Sequence, residues 1–186
     1  MKKNKMIDKK IVYIPGWMDR AEYNGFPDGL DIWGSRIDYR KKIDAEVVVA
    51  HSLGCHFALL NWNEHKNTKL ILVNPVLGKR DLGSWALAWL KFFLTEGRKY
   101  TSQKRMALFF HFFLKIGLSL EMMRKDVKLI LSFVPKENLV VIRGREDLYF
   151  CNSNDCKFFV ENGIRVVEID EMGHVWKKEK IEKFIN

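Results

Sequence analysis

The sequence predicts a single α/β domain, with a mainly parallel sheet flanked by helices. Two observations support this class: five short β-branched runs are almost continuously apolar, and helix-like segments alternate with them. Such runs are typical of strands that are buried on both faces of a parallel sheet. A chain of 186 residues fits one compact domain, and its 47% hydrophobic content is ample for a packed core.

The elements follow one another in a regular order. Strands are predicted over residues 11–14, 47–50, 70–73, 139–142 and 165–169. Helical segments are predicted over residues 53–64, 84–133, 154–162 and 177–185. The glycine-containing stretch 17–44 is harder to assign, and it is compatible with a short strand near 30–33 and a helix near 37–43.

Most of the net charge of +9 lies in two segments. Residues 1–10 carry five lysines against one acidic residue, and residues 79–128 carry eleven basic residues against four acidic ones. The rest of the chain is nearly neutral, and no zinc-finger, RRM or basic-zipper pattern occurs. The sequence therefore argues against nucleic acid as a partner.

The three cysteines do not suggest a disulfide framework, because their number is odd and Cys55 falls in an apolar helix. Cys151 and Cys156 lack a second ligand pair for zinc and are interpreted as free thiols. The apolar run after the basic start is too short for a signal peptide. The longest apolar stretches are well short of the roughly 20 residues that span a bilayer. We expect a cytoplasmic protein without a transmembrane helix.

The most informative segment is 47–60, where a buried strand runs through small residues into a helix with an apolar face. Residues 50–54 read A-H-S-L-G, a variant of the G-x-S-x-G nucleophile elbow. In that turn Ser52 would be strained at the carboxyl end of the strand, next to a helix N-terminus that favours negative charge. An ordinary strand, turn and helix with a serine at the cap is the alternative interpretation.

A serine nucleophile needs a base, and the base needs an orienting acid. Asp147 follows the predicted strand 139–142, and His174 follows the predicted strand 165–169. Ser52, Asp147 and His174 all fall at the carboxyl ends of predicted strands, where open α/β sheets place their sites. The sequence therefore predicts a catalytic triad.

These residues, in this chain order, resemble the α/β-hydrolase superfamily. The resemblance covers residues 11–17, 47–60, 70–75 and 139–176. It departs from the family pattern at Pro15, where histidine is common. The usual first hairpin is missing and the fourth-strand region is compressed, so we expect a minimal version of the fold.

The resemblance implies how the site would work. Ser52 would attack, His174 would move the proton and Asp147 would hold the imidazolium. The backbone N–H groups of Trp17 and Leu53 would form the oxyanion hole. No metal or organic cofactor is implied.

Other titratable residues have their own interpretations. Asp81 is an alternative acid, because some members of the superfamily carry the acid after the strand that corresponds to 70–73. Asp170 and Glu171 are weaker alternatives, since they are too near His174 in sequence. The remaining histidines are interpreted as packing or surface residues; they are His51, His56, His65 and His111.

Residues 79–128 are predicted to form a mostly helical cap insert. Nine aromatic residues fall in it: Trp85, Trp89, Phe92, Phe93, Tyr100, Phe109, Phe110, Phe112 and Phe113. We expect their faces to line an acyl pocket over Ser52, and the simpler alternative is that they pack on the sheet. The basic residues among them would favour anionic substrates or weak association with a membrane surface.

The sequence as a whole predicts a serine hydrolase that cleaves a small-molecule carboxylic ester or thioester through an acyl-enzyme. Two alternatives remain open. One is an acyltransferase that uses the same triad, and the other is a non-catalytic binding protein that has kept the fold.

Overall fold

The computed structural model describes residues 10–17, 19–33, 42–62, 67–96, 115–176 and 178–185. Five strands in these ranges form one parallel sheet, in the order β1-β2-β3-β4-β5. They are β1 Ile11–Ile14, β2 Val47–His51, β3 Lys69–Val73, β4 Leu139–Gly144 and β5 Arg165–Ile169. The predicted fold class is confirmed, and each predicted strand is present to within two residues at its ends.

In the same described ranges, five α-helical segments lie between or after the strands. They are α1 Gly54–Leu60, α2 Leu82–Leu94, α3 over residues 115–124, α4 Ser153–Glu161 and α5 Lys178–Ile181. Short 3₁₀ turns lie at Ala21–Asn24, Lys128–Phe133, Lys136–Asn138 and Glu182–Phe184. Within the described ranges, no helix has the length and apolarity required to cross a bilayer.

Several helical predictions differ from the structure in their bounds. Within the segment predicted over 84–133, α2 ends at Leu94 and residues 125–127 separate α3 from a 3₁₀ turn. The segment predicted over 177–185 contains α5 followed by a 3₁₀ turn. Residues 97–114, in the middle of the predicted cap insert, lie outside the described ranges. The helix predicted over 53–64 ends at Leu60, where the side chain of Asn61 donates to the carbonyl of Phe57.

The strand predicted near residues 30–33 is wrong. Residues 32 and 33 form a turn, and the backbone N–H of Leu30 donates to β1 without extending the sheet. The apolar side chains there fill the core instead: Trp33 is buried and its indole N–H donates to the carbonyl of Pro15, at 3.2 Å. Most of the helix predicted near 37–43 lies outside the described ranges, and residues 42 and 43 are not helical.

The two faces of the sheet are covered by different parts of the chain. One face packs against α1, α2 and α4 through residues that include Val48, Leu72, Val141, Phe57, Trp85 and Phe159. The other packs against the first 3₁₀ turn and the C-terminal helix through residues that include Val49, Ile71, Ile142, Phe26, Trp176 and Ile181. This two-sided burial explains why the central strands are continuously apolar.

Helix α1 begins in close contact with β1, and this contact requires a glycine. A Cβ atom at Gly54 would lie 2.5 Å from the carbonyl oxygen of Pro15, a backbone atom that cannot easily move.

We expect Gly54→Ala to lower the free energy of unfolding by about 1–3 kcal/mol, measured by denaturant unfolding. Gly117→Ala, in α3, is the control, because Gly117 is exposed and nothing lies within 4 Å of an added Cβ there. It should raise stability by about 0.5–1 kcal/mol. Equal stabilities for both variants would contradict the close contact.

Candidate active site

Ser52 lies in the turn between β2 and α1, where its backbone is left-handed with φ of 52°. Such a conformation costs a non-glycine residue about 1–3 kcal/mol and persists only where its surroundings enforce it. Its N–H donates to the carbonyl of Val73, and its own carbonyl accepts from the N–H of Cys55. The turn also packs against Gly16, where a Cβ atom would lie 2.9 Å from that of Ser52. The strained turn predicted from sequence is therefore present.

His174 lies between Ser52 and Asp147. Its Nε2 atom is 2.9 Å from Ser52 Oγ, and its Nδ1 atom is 2.7 Å from Asp147 Oδ2. Because Nδ1–H donates to the carboxylate, Nε2 keeps its lone pair and can accept the hydroxyl proton. All three side chains are buried, with exposed fractions of 5% or less. The structure thus brings together the three residues predicted from the sequence.

Asp147 follows β4 and is fully buried. Its Oδ1 accepts from the backbone N–H groups of Phe150 and Tyr149, at 3.0 and 3.3 Å, and its Oδ2 accepts from that of Cys151, at 3.1 Å. Burial by itself raises the pKa of this carboxyl. The charge and hydrogen bond of His174, with the N–H groups of Phe150 and Tyr149, outweigh burial and hold the pKa below its usual value. The carboxylate is therefore ionised beside the imidazole.

The alternative acids have other surroundings. Asp81 is exposed, and its carboxylate accepts from the N–H of Ser84 as the N-cap of α2. Asp170 pairs with Arg145 on the surface, at 2.7 Å, and Glu171 is exposed. Within the described part of the chain, Asp147 is the candidate acid whose side chain is hydrogen-bonded to His174.

The two predicted oxyanion donors flank Ser52. Leu53 follows it in the chain and is the N-cap residue of α1. Trp17 follows Gly16, which lies against the Ser52 side chain. Both Trp17 and Leu53 are buried. Their role as oxyanion donors stays a prediction.

A group of aromatic rings, here called the aromatic cluster, lies next to His174. Its members are Trp17, Trp85, Trp89, Phe92 and Phe150. The centroid of the Phe150 ring is 4.3 Å from that of His174, and the Phe92 centroid is 5.9 Å from it. Trp89 lies 5.0 Å from Trp17 and 5.2 Å from Phe150.

Helix α2 contributes three members of the aromatic cluster, and all three belong to the predicted insert. Trp17 and Phe150 complete it, although no sequence pattern indicated a pocket at either residue. The other predicted insert aromatics divide into two groups. Phe93 is partly exposed on α2, whereas Tyr100, Phe109, Phe110, Phe112 and Phe113 lie outside the described ranges.

His51, predicted to be a packing or surface residue, is buried against the histidine loop. Its Nε2–H donates to the carbonyl of His174, at 2.7 Å, and its ring stacks on Trp176. Burial, followed by the charge of His174, lowers the pKa of His51 to about 3, although the hydrogen bond opposes this shift. His51 is therefore neutral at ordinary pH. His56 is also buried, whereas His65 and His111 lie outside the described ranges.

Asp19 is a second carboxylate near the base, and no sequence motif indicated it. Burial raises its pKa to about 6, opposed by hydrogen bonds from the Asn24 side chain and the Arg20 N–H. Asp31 raises this pKa further, while the charge of His174 lowers it. The loop after β1 thus carries a weakly acidic group within electrostatic range of the base.

Asn74 and Glu96 also contact the histidine loop, and neither was predicted to do so from the sequence. An Asn-Pro pair directly after a buried strand is a recognisable turn signal, and it could have drawn attention to Asn74. Nothing in the local pattern around Glu96 indicates its contact, because its partners are 78 and 79 positions away in the chain.

The potential metal ligands of the described residues do not converge on a site. Across those residues, no group of three or more His, Cys, Asp or Glu side chains is arranged to hold a metal ion. Cys55 and Cys151 are buried free thiols, and Cys156 is a partly exposed one.

Comparison with known proteins shows similarity in structure. A solved structure from work on the carboxylesterases of the ammonia-oxidizing thaumarchaeon Nitrososphaera gargenis aligns with a TM-score of 0.60 and 14% identity, over 96% of this chain and 88% of that one. The structure of DcsB in complex with its substrate analogue aligns with a TM-score of 0.56 and 14% identity, over 96% and 89%. No protein-family profile matches the sequence, and no curated protein matches it. At this identity the likeness shows a shared fold.

Proposed function

We propose that this chain, whose fold is that of the α/β-hydrolases, is a serine hydrolase that cleaves a carboxylic ester or thioester through an acyl-enzyme. The observation that carries the proposal is the chain of contacts from Ser52 Oγ through the imidazole of His174 to the ionised Asp147. This arrangement turns a weak hydroxyl nucleophile into an activated one. A buried serine that only capped α1 would not need it.

In the proposed first half-reaction, Ser52 Oγ forms a bond to the carbonyl carbon of the substrate while its proton passes to His174 Nε2. The carbonyl oxygen becomes an oxyanion, which the N–H groups of Trp17 and Leu53 would stabilise. The carbon–oxygen or carbon–sulfur bond to the leaving group then breaks. His174 returns the proton to the departing alkoxide or thiolate, and an acyl-enzyme remains.

In the second half-reaction, His174 takes a proton from a water molecule while the resulting hydroxide attacks the acyl carbon. The bond between that carbon and Ser52 Oγ breaks, and Oγ recovers its proton from the imidazolium. Asp147 stays ionised throughout, because its role is to orient the ring and stabilise the imidazolium.

A fluorophosphonate probe tests the proposal directly, because it labels serines that are activated as nucleophiles. We expect stoichiometric labelling of Ser52 in the folded protein and none in Ser52→Ala. The matched control is Ser153→Ala, which removes an exposed serine at the start of α4 and should label normally. Folded wild-type protein that takes up no probe would instead favour a non-catalytic binding protein.

The aromatic cluster supports an apolar acyl group as the substrate. Four of its five members are buried and Trp89 is half-buried, so the cluster forms an apolar wall beside the imidazole. The proposed substrate is therefore a small ester or thioester with an apolar acyl chain. The basic residues of the protein's insert would also suit a substrate with an anionic leaving group, or weak association with a membrane surface.

With p-nitrophenyl esters of increasing chain length, we expect kcat/KM to rise several-fold for every two carbons until the pocket is full. The reason is that each buried methylene contributes about 0.8 kcal/mol at most. Phe92→Ser should reduce activity on long chains more than on acetate. Phe133→Ser, at a ring that is 75% exposed, is the control and should leave the profile unchanged. A flat profile that Phe92→Ser does not alter would show that the rings serve only for packing.

We also propose a cytoplasmic location. The support comes from cysteine usage: the three cysteines are odd in number, and Cys55 lies buried in α1. This pattern does not suggest the disulfide framework of a secreted protein.

A further inference from the structure

The loop that carries His174 is tied to the sheet by one buried side chain. Asn74, directly after β3, is fully buried and has a left-handed backbone with φ of 44°. Its Nδ2 donates to the carbonyls of Gly173 and His174, both at 2.8 Å, and its Oδ1 accepts from the N–H of Gly144, at 2.7 Å. One amide group therefore connects the ends of β3 and β4 to the histidine loop.

The other side of the same loop is held by Glu96, just after α2. Its Oε1 accepts from the N–H of His174, at 3.1 Å, and its Oε2 accepts from the N–H of Val175, at 3.3 Å. The carboxylate lies directly against the Gly173 backbone, in the space that a Cβ atom there would occupy.

The loop needs such support, because residues 170–176 belong to neither a helix nor a strand. Without a ladder of backbone hydrogen bonds, the position of the imidazole depends on what holds its own peptide groups. An error of about 1 Å in the placement of a catalytic group can cost about 100-fold in rate.

We propose that Asn74 and Glu96 are positioning residues that hold the two ends of His174, its carbonyl and its N–H, so that the ring stays in line with Ser52. This rests on the proposed function of the triad. Through Glu96, the insert that contains α2 is coupled to the base. An insert that only covered the site would have no such contact.

Kinetics of single variants provide the first test. Asn74→Ala and Glu96→Ala should each lower kcat by about 10- to 100-fold, while KM changes little because neither residue belongs to the aromatic cluster. Glu96→Gln keeps one oxygen acceptor, so its kcat should fall less than that of Glu96→Ala. Glycine adopts the left-handed backbone without strain. A loss of kcat that Asn74→Gly and Asn74→Ala share therefore comes from the missing amide group and not from backbone strain.

Two control variants match these changes. Asn162→Ala removes an exposed amide that also donates to a backbone carbonyl. Glu121→Ala removes an exposed carboxylate that pairs with Lys125. Both should keep wild-type kcat. Thermal unfolding, followed for every variant, identifies those that are folded at the assay temperature.

The second test does not require turnover. The proton on His174 Nδ1, shared with Asp147 across 2.7 Å, should give a far-downfield NMR resonance. We expect this resonance to broaden or shift in Asn74→Ala and Glu96→Ala and to stay in place in both controls. If the wild-type protein has the resonance but no esterase activity, the proposed function fails. The change of the resonance in the variants still tests whether Asn74 and Glu96 position the imidazole. Folded variants with unchanged kcat and resonance would overturn the positioning role.

Discussion

Ser52→Ala and His174→Ala are each expected to reduce esterase activity by about four orders of magnitude or more. The serine hydroxyl supplies the bond to the acyl group, and the imidazole supplies and recovers the proton in both half-reactions. Since the two groups act as a unit, the double variant should be hardly less active than either single one. Initial rates on a p-nitrophenyl ester, for all three variants, measure this.

The fold should survive both changes, so unfolding of the variants serves as the control. Ser52→Ala removes one oxygen and keeps the Cβ atom that packs against Gly16. Its melting temperature should stay within a few degrees of wild type. If the losses of the single variants multiply in the double variant, the two residues do not share one catalytic step.

The parts of the fold that could be predicted from sequence are those with a strong local signal. The central strands are buried on both faces, so the sequence of each one is an almost uninterrupted apolar run. The turn at Ser52 requires small neighbours, and Gly54 supplies one because the Pro15 carbonyl leaves no room for a Cβ atom. Once the strands were known, Asp147 and His174 could be placed, because the carboxyl ends of parallel strands share one edge of the sheet.

The parts that could not be predicted depend on contacts between distant segments. Leu30, Ile32 and Trp33 are apolar because they pack in or against the core, and so short an apolar pattern does not distinguish a core-filling turn from a strand. Phe150 joins the aromatic cluster only because the loop after β4 holds it beside His174. Periodicity describes which face of an element is buried, but it does not say which residue lies opposite.

The largest effect expected outside the nucleophile and the base is that of Asp147→Asn, about a 10⁴-fold loss of kcat. The carboxylate accepts the Nδ1 proton of His174, which leaves the lone pair of Nε2 facing Ser52. An amide at this position can donate to Nδ1 and thereby favour the tautomer with its proton on Nε2. That tautomer cannot accept the proton of the serine hydroxyl.

The matched control for this variant is Asp81→Asn, which makes the same replacement of a carboxylate oxygen by an amide nitrogen in the alternative acid. Asp81 is an exposed cap of α2, so this variant should keep wild-type kcat and lose at most about 1 kcal/mol of stability. Steady-state kinetics of both variants with one ester decide between the two carboxylates. Near-normal activity in Asp147→Asn together with an inactive Asp81→Asn would assign the acid to the segment that follows β3.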